Sequence, residues 1–111
     1  MQTIVELSEF QNCTKSLRIS DKDLDILKTQ LALDPSAGTE LGSGLFKIRM
    51  AKRGSGKSSG YRIIYFFRRP ETPIILISAF AKNQKINLPP TELKEYRKLC
   101  DILDSHYRSQ T

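Results

Sequence analysis

Apolar residues recur at helical spacing in three segments of this chain. The first segment follows Ser8, which can serve as an N-cap, and the second follows Ser20 and ends before Asp34-Pro35. The third follows Pro89-Pro90, and these prolines indicate the start of a helix, because proline is favoured in the first turn. The apolar stripes of the three predicted helices are Phe10, Cys13, Thr14 and Leu17, then Leu24, Leu27, Leu31 and Ala32, then Leu93, Tyr96, Cys100, Leu103 and Tyr107.

Strand patterns occupy much of the remaining sequence. Residues 3–7 are β-prone, and residues 61–67 and 74–80 are almost continuously apolar. In residues 46–51, the apolar residues Phe46, Ile48 and Met50 alternate with Lys47, Arg49 and Ala51. The predicted order is β-α-α-β-β-β-α, and the last three strands are close enough in sequence to form an antiparallel meander. We therefore expect a small α+β fold with the helices packed on one face of the sheet, and a single domain over residues 1–111.

Positive charge is concentrated in the middle of the chain. Residues 41–91 include ten basic residues and one acid, whereas residues 1–40 include four basic residues and seven acids, and residues 92–111 include four of each. Charge of one sign that is gathered on one segment focuses the electrostatic field and attracts phosphate-rich ligands. The composition therefore predicts a polyanion-binding surface in the middle segment.

Three of these basic residues have predicted positions on strands. Lys47 and Arg49 alternate with apolar neighbours, so both point to the polar face of their strand. Arg62 is the single charge in the apolar segment 61–67, and a charge there is costly unless it is paired or used. We expect Arg62 to be functional, and the alternative is a structural ion pair with Glu40 or Glu71.

Several kinds of active site do not fit the residues present. The tripeptide at 56–58, Gly-Lys-Ser, resembles the end of a P-loop, but Ala51 stands where that motif needs glycine, and a strand follows where it needs a helix. His106 is the only histidine, and the basic segment has no paired carboxylates for a two-metal site. Cys13 and Cys100 are too few for a zinc site or a disulfide framework. No metal, nucleotide or other cofactor is expected.

The N-terminal residues lack the basic start and apolar run of a signal peptide. Apolar stretches such as residues 74–77 are far shorter than a membrane span. These features, with two isolated cysteines, predict a cytoplasmic protein that does not enter the membrane.

Cations alone are sufficient to cleave RNA without a metal ion or a histidine, because RNA supplies its own nucleophile in the 2′-hydroxyl group. An enzyme must align that hydroxyl, stabilise the charge on the non-bridging phosphate oxygens and protonate the departing 5′-oxygen. Arginine matches two phosphate oxygens with its planar fork, and a lysine crowded by other cations is suited to proton transfer. The alternative is a basic surface that grips nucleic acid without catalysis, or a solvated loop.

Two motif blocks resemble the RelE/ParE toxin superfamily. The first covers residues 44–67 and includes a Lys-x-Arg strand, a Gly/Ser-rich basic turn and the sequence Gly-Tyr-Arg-Ile-Ile-Tyr. The second covers residues 77–88 and includes Ala-Lys-Asn. Within the superfamily the chain is most similar to the HigB-type branch. The resemblance implies a RelE-like fold and a type II toxin, which cleaves mRNA in the ribosomal A site, inhibits translation and is silenced by a cognate antitoxin.

The resemblance also implies which residues form the site. The catalytic cations of the family fall on Arg62, Lys47, Arg49 and Lys82, and contacts to RNA or the ribosome fall on Arg53, Lys57, Asn83, Lys85 and Tyr65. Some relatives end the active segment with a tyrosine, where this chain has Asn-Leu-Pro at residues 87–89, so either Tyr65 or no aromatic residue takes that role. Tyr65 shares a strand face with Ile63 and Phe67, which favours a core position over stacking on a base.

Two alternative functions remain after the resemblance is considered. A gyrase-poisoning branch of the superfamily lacks the cationic constellation, so the Lys/Arg density favours the nuclease branch. A binding module without turnover is the alternative from outside the superfamily. Arg68 and Arg69, in the turn after the strand that carries Arg62, are expected to be solvated.

Overall fold

The computed structural model describes residues 2–51, 60–82 and 87–108, which form five strands and three helices. Along the chain these elements are β1 (Ile4–Glu6), α1 (Ser8–Leu17), α2 (Asp21–Leu33), β2 (Thr39–Glu40), β3 (Leu45–Ala51), β4 (Gly60–Phe66), β5 (Ile74–Ala81) and α3 (Pro90–Arg108). Every predicted helix and strand is present. The two residues of β2 are exposed and carry no periodic pattern, so the sequence does not predict this strand.

Local sequence explains where the helices begin and end. The Ser20 hydroxyl accepts a hydrogen bond from the backbone N–H of Asp23 at 3.1 Å, which confirms the predicted cap of α2. Arg18 adopts a left-handed conformation with φ of 56° and ends α1. Ser8 is the first residue of α1, and Leu7 occupies the N-cap position without a side-chain hydrogen bond. Among the described residues, no helix is long and apolar enough to cross a membrane.

The strands form one mixed sheet in the order β1-β5-β4-β3-β2. Strands β3, β4 and β5 form the predicted antiparallel meander, and β2 extends it antiparallel to β3. Strand β1 pairs in parallel with β5, so the N-terminal strand lies at one edge and β2 lies at the other. This architecture confirms the predicted α+β class.

Helices cover both faces of the sheet, which corrects the expectation that they pack on one face. One core lies under α1 and α2 and includes Phe10, Leu27, Leu31, Ile63 and Tyr65. The second core lies under α3 and includes Leu45, Ile64, Phe66, Ile77 and Cys100. The physical reason is the composition of β4 and β5, whose side chains are apolar in both directions and must be shielded from water on both faces.

Candidate functional site

The cations of β3 and β4 lie on the face of the sheet that α3 partly covers. Arg49 is opposite Arg62 in the β3–β4 ladder, and Arg62 is opposite Phe80 in the β4–β5 ladder. Lys47 is opposite Ile64. Phe80 and Ile64 belong to the core under α3, and cross-strand partners share a face of the sheet. We call Lys47, Arg49 and Arg62 the cationic row.

The cationic row opposes like charges across the sheet. Directly opposed residues have Cβ atoms about 4.5–5.5 Å apart, so the Arg49 and Arg62 pairing is destabilising in the absence of an anion. Arg49 is exposed, whereas Lys47 and Arg62 are half-buried. This face of the sheet therefore holds two guanidinium groups and one amine close together. Their mutual repulsion does not stabilise the fold.

Arg62 has an unsatisfied nitrogen. Its Nη1 atom is inaccessible to solvent and has no hydrogen-bond partner among the described residues. The two acids considered as its structural partners lie elsewhere: Glu40 accepts a hydrogen bond from the backbone N–H of Gly44 at 3.3 Å, and Glu71 is exposed in the turn between β4 and β5. A buried donor without a partner is rare in folded proteins, and a bound anion would satisfy it.

Lys82 is held close to the start of β4, immediately after β5. Its backbone N–H donates to the carbonyl oxygen of Gly60 at 3.0 Å, and the preceding residue, Ala81, is opposite Tyr61. Lys82 therefore lies two positions beyond Phe80, the partner of Arg62. The sheet thus brings Lys47, Arg49, Arg62 and Lys82 onto three adjacent strands or their ends. The predicted contact residues Arg53, Lys57, Asn83 and Lys85 lie outside the described residues.

Tyr65 does not belong to this site. Its side chain is fully buried on the opposite face of the sheet and stacks on Phe46 with ring centroids 5.1 Å apart. Its hydroxyl donates to the Pro35 carbonyl oxygen at 2.9 Å and accepts from the Gly38 backbone N–H at 3.0 Å. Burial raises the pKa of this phenol. A ring enclosed in this way has no face available for a base, so we leave Tyr65 out of the proposed RNA contacts.

Arg68 and Arg69 correct a second expectation, because they bind carboxylates of α3. Arg68 donates to Asp104 at 2.8 Å and to Asp101 at 2.9 Å, and it also donates to the Ser43 carbonyl oxygen at 2.6 Å. Arg69 donates to Asp104 as well, and Arg108 donates to it at 2.9 Å. We call these five charged side chains, Arg68, Arg69, Asp101, Asp104 and Arg108, the arginine–aspartate cluster.

Asp104 is the centre of the arginine–aspartate cluster and is only 4% exposed. Burial opposes its ionisation, but hydrogen bonds from Arg68 and Arg108 and the nearby guanidinium charges prevail, so the pKa of Asp104 lies below its usual value. The sequence contains one clue to this role. Asp101, Asp104 and Arg108 are spaced by three and four residues and therefore lie along one side of α3, but Arg68 and Arg69, which bind the two aspartates, are more than thirty positions away.

The two cysteines are free and lie apart in the fold. Cys100 is buried on the sheet-facing side of α3, and that burial raises its pKa to about 12. Cys13 is half-buried on α1, with its Sγ atom 3.7 Å from the Ser78 hydroxyl. Among the described residues, no group of three or more His, Cys, Asp or Glu side chains is arranged to hold a metal ion.

A comparison with protein-family models identifies the family of this chain. The model of the RelE toxin of the RelE/RelB toxin–antitoxin system matches residues 2–110. The chain belongs to the RelE toxin family. It is therefore the toxin of a toxin–antitoxin system, and an antitoxin is the partner that the family implies. Toxins of the RelE family are generally endoribonucleases, and the mixed five-stranded sheet with three helices is consistent with a RelE-like fold.

Proposed function

We propose that this RelE-family toxin is a metal-independent endoribonuclease of the HigB type, which cleaves mRNA in the ribosomal A site and inhibits translation in the cytoplasm. The observation that carries the proposal is the solvent-inaccessible Nη1 of Arg62, which belongs to a row of cations and has no hydrogen-bond partner among the described residues. Membership of the RelE family supplies the substrate class, because its toxins are generally endoribonucleases.

The reaction requires an attack of the RNA 2′-oxygen on the adjacent phosphorus atom. The new bond joins the 2′-oxygen to phosphorus and the bond from phosphorus to the 5′-oxygen breaks, which leaves a 2′,3′-cyclic phosphate and a 5′-hydroxyl end. One proton leaves the 2′-hydroxyl and one proton is added to the 5′-oxygen, so the step is balanced without an oxidant or a metal ion. The protein must therefore supply charge stabilisation and two proton transfers.

The cationic row can divide these tasks according to side-chain type. The guanidinium groups of Arg62 and Arg49 are suited to the non-bridging oxygens, because a planar fork donates two parallel hydrogen bonds to a phosphate and keeps its charge. Lys47 and Lys82 are the amines next to that pair, and we assign the two proton transfers to them. All four residues lie on strands or at a strand end, where the backbone restricts their positions.

The Gly/Ser-rich basic segment at residues 52–59 and the segment after β5 complete the proposal. We assign Arg53, Lys57, Asn83 and Lys85 to contacts with the ribosome or the RNA, as the family resemblance implies. The cognate antitoxin then neutralises the toxin with an acidic segment that lies across the cationic row, because the same charges attract RNA and an acidic chain. Antitoxin and ribosome would therefore compete for one surface.

Expression in a bacterium tests the proposal directly. The toxin is induced with and without its antitoxin, and primer extension maps the ends of a translated message and of the same message with its start codon removed. We expect cuts in register with codons in the translated message only, 5′-hydroxyl ends on the products, and suppression of the cuts by the antitoxin. Intact messages with normal growth would instead indicate a binding module, and intact messages with gyrase-linked DNA breaks would indicate the gyrase-poisoning function.

A further inference from the structure

One flank of α3 lies beside the start of β3. The Arg97 side chain donates from Nε to the Leu41 carbonyl oxygen at 2.7 Å, and Asp101, one turn later, binds Arg68, which also binds the Ser43 carbonyl oxygen. These contacts show that the side of α3 occupied by Arg97 and Asp101 faces the turn that leads into β3. The sheet-facing residues of α3, such as Cys100, belong to the core beneath it.

The direction of α3 follows from its two ends. Near its N-terminal end, Glu92 and Tyr96 line a groove of about 550 Å³ together with Ser78 and Phe80, which belong to the second half of β5. Near its C-terminal end, Asp104 binds the arginines that follow β4. Helix α3 therefore runs antiparallel to β5. Strand β3 runs in the same direction as β5, because each of them is antiparallel to β4.

Lys94, on α3, consequently lies beside a later part of β3 than Arg97 does. It precedes Arg97 by three residues, a rise of about 4.5 Å along the helix axis, and lies on the same side of α3. Both side chains are exposed. The direction from Arg97 to Lys94 along α3 is the direction from Leu45 towards Lys47 and Arg49 along β3. The two cations on one side of α3 therefore extend the line of positive charge that the cationic row begins.

Arg97 is also restricted in orientation. Its Nε atom donates to the Leu41 carbonyl oxygen, and this hydrogen bond restricts the orientation of the guanidinium. Gly42 has a left-handed backbone with φ of 98°, and a Cβ atom there would lie 3.1 Å from Arg97 Nε, so a side chain at this position would crowd the guanidinium. A fixed guanidinium loses less conformational entropy when it binds a phosphate than a free one does.

We infer that Arg97 and Lys94 form a second phosphate-binding subsite, which holds the single-stranded RNA backbone beside the phosphate bound at Arg62. The inference rests on the proposed function for the identity of the ligand. Arg97 lies level with the start of β3, and Arg49 is four residues, or about 13 Å, farther along that strand. The subsite thus binds a phosphate of the same RNA strand that lies beyond the cleaved phosphate. It provides affinity and alignment and takes no part in bond breaking.

Binding of an uncleavable RNA tests this subsite separately from catalysis. The probe is a short single-stranded RNA with 2′-O-methyl groups, which cannot supply the nucleophile, and its affinity for the toxin is measured by fluorescence anisotropy over a range of salt concentrations. We expect the slope of log affinity against log salt to fall by about 0.7 for Lys94→Gln and by about 1.4 when Arg97→Gln is added.

The matched control is Lys22→Gln, which removes one exposed positive charge from α2 on the other face of the sheet. A slope change in the Lys94→Gln variant no larger than in this control would overturn the inference. Loss of antitoxin binding with an unchanged RNA slope would also overturn it, because the flank would then belong to a protein partner. If Arg97→Gln disturbs folding, Lys94→Gln alone still decides. A wild-type toxin that binds the probe with the expected slope but cleaves no RNA would refute the proposed function without refuting the subsite.

Discussion

Two groups of arginines that follow one another in sequence have opposite surroundings. In the cationic row, Arg49 and Arg62 oppose each other, and among the described residues Arg62 Nη1 has no partner. In the arginine–aspartate cluster, Arg68 and Arg69 share the Asp104 carboxylate. Burial does not separate the two groups, because Arg62, Arg68 and Arg69 are all half-buried. The difference lies in the acids: α3 supplies carboxylates to Arg68 and Arg69, although Arg69 Nε has no partner among the described residues, whereas no acid of that part of the chain is paired with Arg62.

This difference separates stability from function. In a charge pair completed within the chain, removal of one partner leaves the other charge uncompensated and destabilises the fold. A charge without a partner in the folded chain costs stability, and it is retained where binding or catalysis uses it. Substitutions in the arginine–aspartate cluster should therefore lower the free energy of unfolding, and substitutions in the cationic row should lower the rate of RNA cleavage.

The largest expected effect is the loss of RNA cleavage when Arg62 is replaced. Arg62→Met keeps the apolar stem but removes the charge, and we expect the rate at saturating toxin to fall by about 10²-fold or more, because a preorganised contact to the transition state is lost. Arg62→Lys should recover little of the rate, since a point charge does not replace a two-pronged donor. Cleavage of a translated message by purified toxin measures both variants.

The control for this prediction is Lys22→Met, on α2, which should cleave at the wild-type rate. The urea midpoint of Arg62→Met should not fall below that of the wild type, because the substitution removes a nitrogen that has no partner among the described residues and relieves the repulsion with Arg49. A folded Arg62→Met variant with full activity would remove Arg62 from the catalytic site.

In the arginine–aspartate cluster we expect a loss of stability without a loss of chemistry. Asp104→Asn leaves Arg68, Arg69 and Arg108 without their shared negative charge, and the free energy of unfolding should fall by about 2 kcal/mol. The value is below that of a fully enclosed pair because the arginines are partly exposed. Urea titration measures the loss, and cleavage per folded molecule at low temperature should be unchanged. A variant of normal stability that no longer cleaves would place the cluster in the active site.

The two groups of arginines also differ in how well the sequence predicts their surroundings. Period-two alternation predicts that Lys47 and Arg49 share a face of the sheet, and a single charge inside an apolar strand marks Arg62 as a candidate site residue. Both patterns can be read from neighbouring residues of the sequence. The partners of Arg68 and Arg69 are not predictable in this way, since Asp101 and Asp104 approach them only when α3 docks on the sheet. The same docking explains why helices cover both faces.

Acid should weaken the arginine–aspartate cluster specifically. The pKa of Asp104 is lowered in the folded state, so its stabilising effect is present above the unfolded pKa of about 3.9 and is lost as the pH falls through the lower folded value. The stability difference between wild type and Asp104→Asn should therefore be largest near pH 7 and should shrink towards pH 3. Urea titrations at both pH values measure it, with Asp25→Asn, at an exposed position on α2, as the control. A difference that is constant with pH would show that the carboxylate charge is not what stabilises the cluster.

The smallest expected effect is a gain of stability in the cationic row. Arg49→Gln removes one of two like charges that are directly opposed, and we expect the free energy of unfolding to rise by about 0.2–1 kcal/mol at low salt. Salt screens exposed charges, so the gain should diminish at high salt, and Lys22→Gln should show no comparable gain. Urea titrations at two salt concentrations measure both variants. If Arg49→Gln instead destabilises the toxin, then Arg49 has a structural partner, and the distinction between a row that lacks anions and a cluster that contains them does not hold for this residue.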